Sequence, residues 1–258
     1  MMEKLLGLPV VASESGQHVD QLIIYLHWLM IVLFVGWLSF FAMVLIRFRR
    51  SRHPQASYRG VRSHISSYLE VAVAVVEGVL LFGLSVPLWA KAVDKFPKAS
   101  DSTVIQIVAQ QFAWNARYPG KDGIFGKQDM RWVAPDNVFG VDPNDPHGKD
   151  DIQTLNEIHV PLVKNPDGQL RPVILYISSK DVVHSFKVIA MRITQDAIPG
   201  MRIPIWFRPT REGRFQINCA QLCGNGHSLM SQGFLVVESP AAYDKWLASK
   251  QGAATSFE

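Results

Sequence analysis

A chain of 258 residues has room for one large or two small domains, and a hydrophobic content of 48% with positive mean hydropathy points to membrane segments rather than a wholly soluble fold. The formal charge of +4 would admit a nucleic-acid binder, but the excess is local. Arg47, Arg49, Arg50, Arg52, Arg59 and Arg62 crowd one stretch with no acid among them, so no basic nucleic-acid face is expected and nucleic acid is excluded as a partner.

Residues 1–21 are mixed and polar around a brief apolar patch, Leu5 to Ala12. The patch is short for a signal-peptide core and carries only Lys4 ahead of it, so the segment reads as an exposed extracytoplasmic tail. Residues 22–46 are almost unbroken in apolar character, and 68–90 form a second such run interrupted by Glu70 and Glu77. Each is long enough for a bilayer, which needs about 20 residues. The arginine-rich loop 47–67 is expected on the cytoplasmic side, leaving both termini opposite. Glu70 and Glu77 lie seven residues apart, two turns along one face and about 10 Å in rise. Carboxylates inside a membrane are expensive and mark a protein-facing or hydrated environment. Two helices alone make no path across a membrane, so a larger membrane partner is implied.

Residues 91–258 change character. Short apolar runs at 103–108, 173–177, 186–190, 203–207, 214–218 and 233–237, punctuated by Pro, Gly and Asp, predict an all-β sandwich or barrel. Ser239-Pro240 predicts an N-cap and first helical residue, opening a helix that buries Tyr243, Trp246 and Leu247. Within 121–160, eight acids stand against four bases among many Gly, Pro and Asn, which predicts a long, mostly irregular insertion. Its acids are candidates to steer a basic redox partner, to bind Ca2+ through Asp142 and Asp145, or simply to solvate a loop. His18, His53, His64, His147 and His159 have no partners at ligand spacing and read as surface or loop residues. The absence of Cys-x-x-Cys-His excludes a fused c-type haem domain.

The chemistry concentrates in Cys219-Ala-Gln-Leu-Cys223-Gly-Asn-Gly-His227-Ser-Leu-Met230, which holds the chain's two cysteines. Thiolates, imidazole and thioether together suit copper. One cysteine would complete a mononuclear site, whereas two close thiolates can bridge a copper pair and spread one electron over both metals. A second imidazole is needed, and His184 in Ser179-Lys-Asp-Val-Val-His-Ser-Phe186 is the candidate. A disulfide is the alternative for the two cysteines, but it leaves the ordered His227 and Met230 unexplained.

This ordered set resembles subunit II of the haem-copper cytochrome c oxidases, through Asp181, Val182, His184, Ser185, Cys219, Cys223, His227 and Met230. Asp196-Ala-Ile-Pro-Gly200 and, more loosely, Gln111-Phe-Ala-Trp114 extend the resemblance over nearly the whole chain. It implies a membrane-anchored all-β fold: a two-helix transmembrane hairpin followed by a cupredoxin-like Greek-key β-barrel on the periplasmic side of a bacterial inner membrane. It also implies a dinuclear copper centre held by His184, Cys219, Cys223, His227, Met230 and the carbonyl of Gln221, with Asp181 behind His184. The implied activity is acceptance of electrons from a c-type cytochrome, soluble or membrane-bound, and their transfer to haem in subunit I, with other oxidase subunits as further partners. Oxygen reduction and proton pumping belong to the assembled enzyme, not to this chain alone. Glu70 resembles the family's glutamate at the mouth of a proton-uptake channel; Glu77 departs from the family pattern.

Other departures bear on function. Gln221 stands where the family has a glutamate whose side chain reaches a Mg2+ shared with subunit I, and a neutral amide is the poorer ligand for a hard cation. Phe112 stands where the family has its electron-entry tryptophan, with Trp114 two residues on, and both are candidates to route electrons. Lys180 stands where acids are frequent, which weakens a negative docking face. Among the alternatives, a copper chaperone or storage protein would use exposed, exchangeable ligands; a quinol oxidase subunit lacks the copper set; and the copper domain of a nitrous oxide reductase belongs to a larger, soluble protein.

Overall fold

The computed structural model describes residues 2–56, 58–60 and 62–250; residues 57 and 61 of the expected connecting loop and 251–258 of the expected outer domain lie outside the described residues. The chain divides into a helical unit and a unit of β-structure.

The helical unit contains two helices long and apolar enough to cross a membrane, Glu14–Arg47 and Ile65–Asp94. The first begins earlier than the apolar run at residue 22, because polar residues such as Glu14, Gln17 and Asp20 continue the helix without contributing to the hydrophobic signal. Side chains along both helices face away from the chain, with Phe34 and Trp37 each 66% exposed, as surfaces meant for lipid or a partner require. The second helix is not uniform: α-helix over Ile65–Gly78 gives way to a π-helical stretch, Val79–Ser85, before α-helix resumes at Val86. The amide of Val86 donates to the carbonyl of Leu81, five residues back. Pro87 supplies the cause, since it has no N–H and its ring crowds the carbonyl four residues earlier, so the backbone widens by one residue.

The β unit comprises ten strands: β1 Thr103–Gln110, β2 Ala113–Tyr118, β3 Ile152–Leu155, β4 Glu157–Pro161, β5 Val173–Ser179, β6 His184–Val188, β7 Ile193–Ala197, β8 Ile203–Phe207, β9 Gly213–Cys219 and β10 Phe234–Glu238. They form two five-stranded sheets, β3-β2-β1-β5-β8 and β4-β10-β9-β6-β7. Pairing is antiparallel except for β1 with β5 and β10 with β4, so the chain crosses repeatedly between sheets in the manner of a cupredoxin-like sandwich. Ile105, Ile107, Leu175 and Ile177 of one sheet and Phe186, Ile217 and Leu235 of the other are buried in one core. The membrane-helix and β-sandwich architecture expected from the sequence is thus the one observed.

Three local expectations are corrected. The N-terminal segment is not an exposed tail: Ala12 and Ser13 are wholly buried in the β unit. The amide of Ala12 donates to Ala190 (2.7 Å), its carbonyl accepts from Thr210 (2.9 Å), and the Ser13 hydroxyl donates to the carbonyl of Met191 (2.6 Å). Two small side chains allow this close approach, and two residues are too few to show a strand pattern.

His159 is not a loop residue. It is buried on β4, its ring stacked 4.0 Å from that of Trp246 in the C-terminal helix Pro240–Lys250 and flanked by Glu157 Oε1 (3.3 Å) and Glu238 Oε2 (3.2 Å).

The insertion, finally, is irregular only as far as Asp151, and its last residues are β3 and the start of β4. It is also ordered by burial. Every residue of β2 is buried, Asn115 and Arg117 included, because the insertion covers the outer face of that strand. The Arg117 guanidinium pairs with Asp151 and donates to the carbonyl of Gly126 (2.8 Å), while the Gly126 amide also donates to Asp151 (3.1 Å). A side chain at Gly126 would meet the backbone of Gly148 at 2.3 Å, so the loop closes on itself only with glycine there. Asp142 and Asp145 do not open toward a cation: Asp145 accepts from the amides of Lys127 (2.7 Å) and His147 (3.3 Å), and Asp142 from that of Asn144 (2.9 Å).

Removing one partner of a buried ion pair leaves an uncompensated charge, so Arg117→Met is expected to destabilise the protein by about 3–5 kcal/mol. Denaturant unfolding of the purified full chain in detergent, followed by tryptophan fluorescence, measures the loss. The double variant Arg117→Met/Asp151→Leu is expected to recover most of it.

Candidate metal centre

Three connections meet at one end of the sandwich: the β1–β2 turn at 111–112, the β5–β6 loop at 180–183, and the long β9–β10 loop at 220–233. Pairing of β6 with β9 sets Phe186 opposite Cys219, and the amide of Ala220 donates to the carbonyl of Ser185 (2.9 Å), which carries Cys219 beside His184. The sulfurs of Cys219 and Cys223 stand 3.9 Å apart and are unbonded. His184 Nδ1 lies 4.0 Å from the Cys219 sulfur and His227 Nδ1 lies 3.4 Å from that of Cys223, so each sulfur has its own imidazole. The donor atoms of His184, Cys219 and Cys223 all lie within 4.8 Å of one another. The carbonyl oxygen of Gln221 lies 3.0 Å from the Cys219 sulfur. Met230 is fully buried on the short helical stretch His227–Gln232 that follows.

The surroundings orient these groups. Asp181 Oδ1 lies 2.9 Å from His184 Nε2, leaving Nδ1 for the sulfurs, and the same carboxylate accepts from the amides of Gln111 (2.7 Å) and Val182 (2.7 Å). Partial burial opposes ionisation of Asp181, but the Gln111 amide and the His184 ring outweigh it and hold the carboxyl below its ordinary value. Gln111, which the sequence offers only as the first residue of a loosely matched motif and without a role, also donates through Nε2 to the carbonyl of Cys223 (2.6 Å). Nothing in its residue type announces this role; only its place next to Phe112 and Trp114 could have drawn notice.

Trp114 is wholly buried, edge-on to both His184 and Phe186, and its indole N–H donates to the carbonyl of Met230 (2.9 Å). It therefore braces the site from inside the core and cannot be a surface contact. Phe112, partly buried, lies across the glycines of the cysteine loop. A Cβ on Gly226 would fall 2.3 Å from its ring and one on Gly224 would fall 3.0 Å from it, while Gly224 itself has φ +136°. Those two glycines let the loop lie flat beneath an aromatic ring. Glu70 and Glu77 are on the second long helix and are not part of this cluster.

The sulfurs of Cys219 and Cys223 with the His184 imidazole form a soft donor cluster of the kind that suits copper, with the His227 ring beside Cys223 and Met230 buried on the stretch that follows. Burial, and then the adjacent Cys219 sulfur, push the Cys223 thiol up to about 11. A thiol so placed ionises at neutral pH only when a cation takes its charge, since a coordinating thiol is deprotonated outright. The residues present therefore fit a copper pair.

Comparison with known proteins agrees with the geometry. Residues 143–239 match the family model for the periplasmic domain of cytochrome c oxidase subunit II. The alternative cytochrome c oxidase subunit 2 of Bradyrhizobium diazoefficiens is 34% identical over 243 residues, covering 93% of this chain and 83% of that one. The chain belongs to the cytochrome c oxidase subunit II family. Cytochrome c oxidase subunit 2 of Cereibacter sphaeroides is 28% identical over 242 residues, covering 88% of this chain and 76% of the relative. Among solved structures, the periplasmic domain of subunit II of cytochrome oxidase from Bradyrhizobium japonicum aligns over 60% of this chain and 95% of its own length, with 25% identity and a TM-score of 0.41.

For a subunit II of this family, the packing of Phe112 on the loop gives a direct test. Gly226→Ala is expected to displace the ring or the loop, costing about 1–3 kcal/mol as overpacking does and lowering copper retention in equilibrium dialysis. Adding Phe112→Leu, which frees the space, is expected to restore copper retention.

Proposed function

We propose that this chain is the electron-entry subunit of its oxidase: it takes single electrons from a c-type cytochrome at a dinuclear copper centre and hands them to haem in subunit I. There oxygen is reduced and protons are pumped by the assembled enzyme. The observation that carries this reading is the pair of unbonded sulfurs 3.9 Å apart, with an imidazole nitrogen 4.0 Å from one and 3.4 Å from the other.

A copper pair bound there supplies a one-electron carrier whose charge is shared between two metals. The chain's own residues do the rest. His184, Cys219, Cys223, His227, Met230 and the Gln221 carbonyl hold the metals; Asp181 fixes the His184 ring; Trp114 fixes the backbone at Met230. A donor set locked before the electron arrives needs little rearrangement when the charge changes, which favours transfer over exchange of the metal. That rigidity argues against a copper chaperone or storage role. The Mg2+ function has little support, because position 221 offers an amide rather than a carboxylate.

On this reading the two long helices, about 22–46 and 68–90 in their apolar cores, anchor the chain in a bacterial inner membrane, with the arginine-rich loop 47–67 in the cytoplasm. The copper-bearing unit, residues 91–258 together with the N-terminal strand partner, lies on the periplasmic side. Glu70, at the cytoplasmic end of the second helix, serves as the proton-entry carboxylate for subunit I.

Metal analysis and electron paramagnetic resonance on the purified full chain test the centre. Two coppers per chain with hyperfine structure from one shared electron are expected, and Cys219→Ser and Cys223→Ser are each expected to abolish that spectrum. A single-copper signal, or cysteines recovered as a disulfide after metallation, would overturn the reading.

The donor is a second question. The insertion's acids are largely committed internally: Asp129 to Arg131 (2.7 Å), Asp122 to His147 (2.5 Å), Asp151 to Arg117, and Asp145 to backbone amides. Exposed apolar side chains lie on the copper loops instead, Leu222 being 85% exposed and Val182 and Val183 about two-fifths, at 38% and 42%. Docking is therefore mainly apolar, with a donor tethered in the same membrane favoured over a soluble basic cytochrome c. Stopped-flow reduction by soluble cytochrome c is expected to change by less than about threefold between low and physiological ionic strength. Steep slowing would instead return the docking role to the acids.

A further inference from the structure

Glu77 is an acidic group in the helical unit that the electron-entry function leaves without a purpose and that the membrane makes costly to keep. It sits in the α-helical part of the second long helix, two residues before the π-helical stretch Val79–Ser85, and its side chain is exposed from the chain. Its immediate neighbours are Val75, Val76, Gly78 and Val79, so the chain itself places no charged or hydrogen-bonding side chain beside it in sequence. A carboxyl at that depth is not left to lipid: such groups face a protein interior or a water-filled cavity and mark ion or proton paths.

Helix geometry says where it points. At 3.6 residues per turn, Glu77 lies about 20° from Glu70 around the axis and about 10 Å further along it. Ala74 lies between the two along the axis and within about 60° of both, while Gly78, four residues on, is a quarter-turn from Glu77 at the edge of that face. The face therefore carries two carboxyls flanked by Val73 and Ala74, and the carboxyls are what set it apart from a lipid-facing stripe. The π-helical stretch adds a second polar feature to the same helix. Pro87 donates no hydrogen bond, and the carbonyls freed by the widened turn also need partners that lipid cannot supply.

We propose that Glu77 is a proton-carrying carboxyl on the helix face that packs against a transmembrane helix of the catalytic subunit, one step deeper along the same hydrated path that Glu70 opens. This rests on the electron-entry reading, since only an oxygen-reducing partner consumes protons here. The step is balanced: a proton from the water chain bonds to one carboxylate oxygen of Glu77, and the O–H bond then breaks as the proton passes to the next acceptor in the partner. The carboxylate is regenerated and no electron moves at Glu77.

The test uses the whole oxidase complex reconstituted in vesicles. Glu77→Gln keeps size and hydrogen bonding but cannot carry a proton, whereas Glu77→Asp keeps the proton. Haem and copper content verify assembly, and flash-induced electron input from the donor to the copper centre verifies the electron-entry role separately. Glu77→Gln is expected to assemble normally, to accept electrons at the unaltered rate, and to slow the proton-uptake phase by about 100-fold, the lower end of what a positioned proton-transfer group contributes. Glu77→Asp is expected to retain most of that rate. Unchanged proton uptake in an assembled Glu77→Gln complex overturns the proposal. Failure of Glu77→Gln to assemble while Glu77→Asp assembles also overturns it, because the carboxylate is then a structural contact. If electrons do not enter at this chain in the unaltered complex, the underlying reading fails instead, independently of Glu77.

Discussion

The Asp181 carboxylate is the interaction on which the copper end depends. It joins the β1–β2 turn through the Gln111 amide, its own loop through the Val182 amide, and β6 through the His184 ring. Since Gln111 in turn holds the Cys223 carbonyl, one anion links three connections that are far apart in sequence. A metal site made from loops would ordinarily inherit their mobility. Here two of the connections are tied by hydrogen bonds to an ion, which are stronger than those between neutral groups, and the third by the neutral bond from Gln111 to the Cys223 carbonyl.

The second brace is apolar. Trp114 fills the space under Met230 and His184, and Gly233 permits this, since a Cβ there would come 2.7 Å from the indole ring. Phe112 closes the opposite side over Gly224 and Gly226. The two aromatics thus divide their work by depth: one inside the core holding backbone, one at the rim pressing on the loop. Position 112 therefore retains a packing role whether it carries a phenyl or an indole, and loss of the family's tryptophan there does not by itself open the site.

Much of the candidate site was legible in the sequence because its candidate ligands are of rare types in fixed order: the two cysteines, His227 and Met230 fall within twelve residues, and His184 follows an apolar strand. Asp181 was legible through its place in the same motif. Gln111 was not, because its two hydrogen bonds are long-range and its side chain is common. The strands that escaped notice failed for a related reason. β2 looks too polar for a buried strand, with Asn115 and Arg117 alternating with Trp114, Ala116 and Tyr118, and only the insertion packed over it explains their burial. β7, with Thr194, Gln195 and Asp196, is an edge strand whose polar side chains hide its period. His159 read as a surface residue because the carboxylates that flank it come from Glu157, two residues away, and Glu238, nearly eighty residues on.

The insertion shows how charge in a sequence differs from charge on a surface. Eight acids against four bases suggest a negative patch, yet the structure spends most of those carboxylates on Arg117, Arg131, His147 and backbone amides. An anion paired with a cation leaves only a dipole, whose field falls off faster than that of a free charge, and salt screens either beyond about 8 Å. Long-range steering requires unpaired charge, whereas fixing a loop over a strand requires the opposite. The same residues cannot do both fully, and burial of the Arg117–Asp151 pair commits this insertion to the second. On the electron-entry reading, a donor docking over the exposed Leu222, Val182 and Val183 would gain mainly apolar contact, and such contact favours a partner held nearby by the membrane over one drawn from solution by charge.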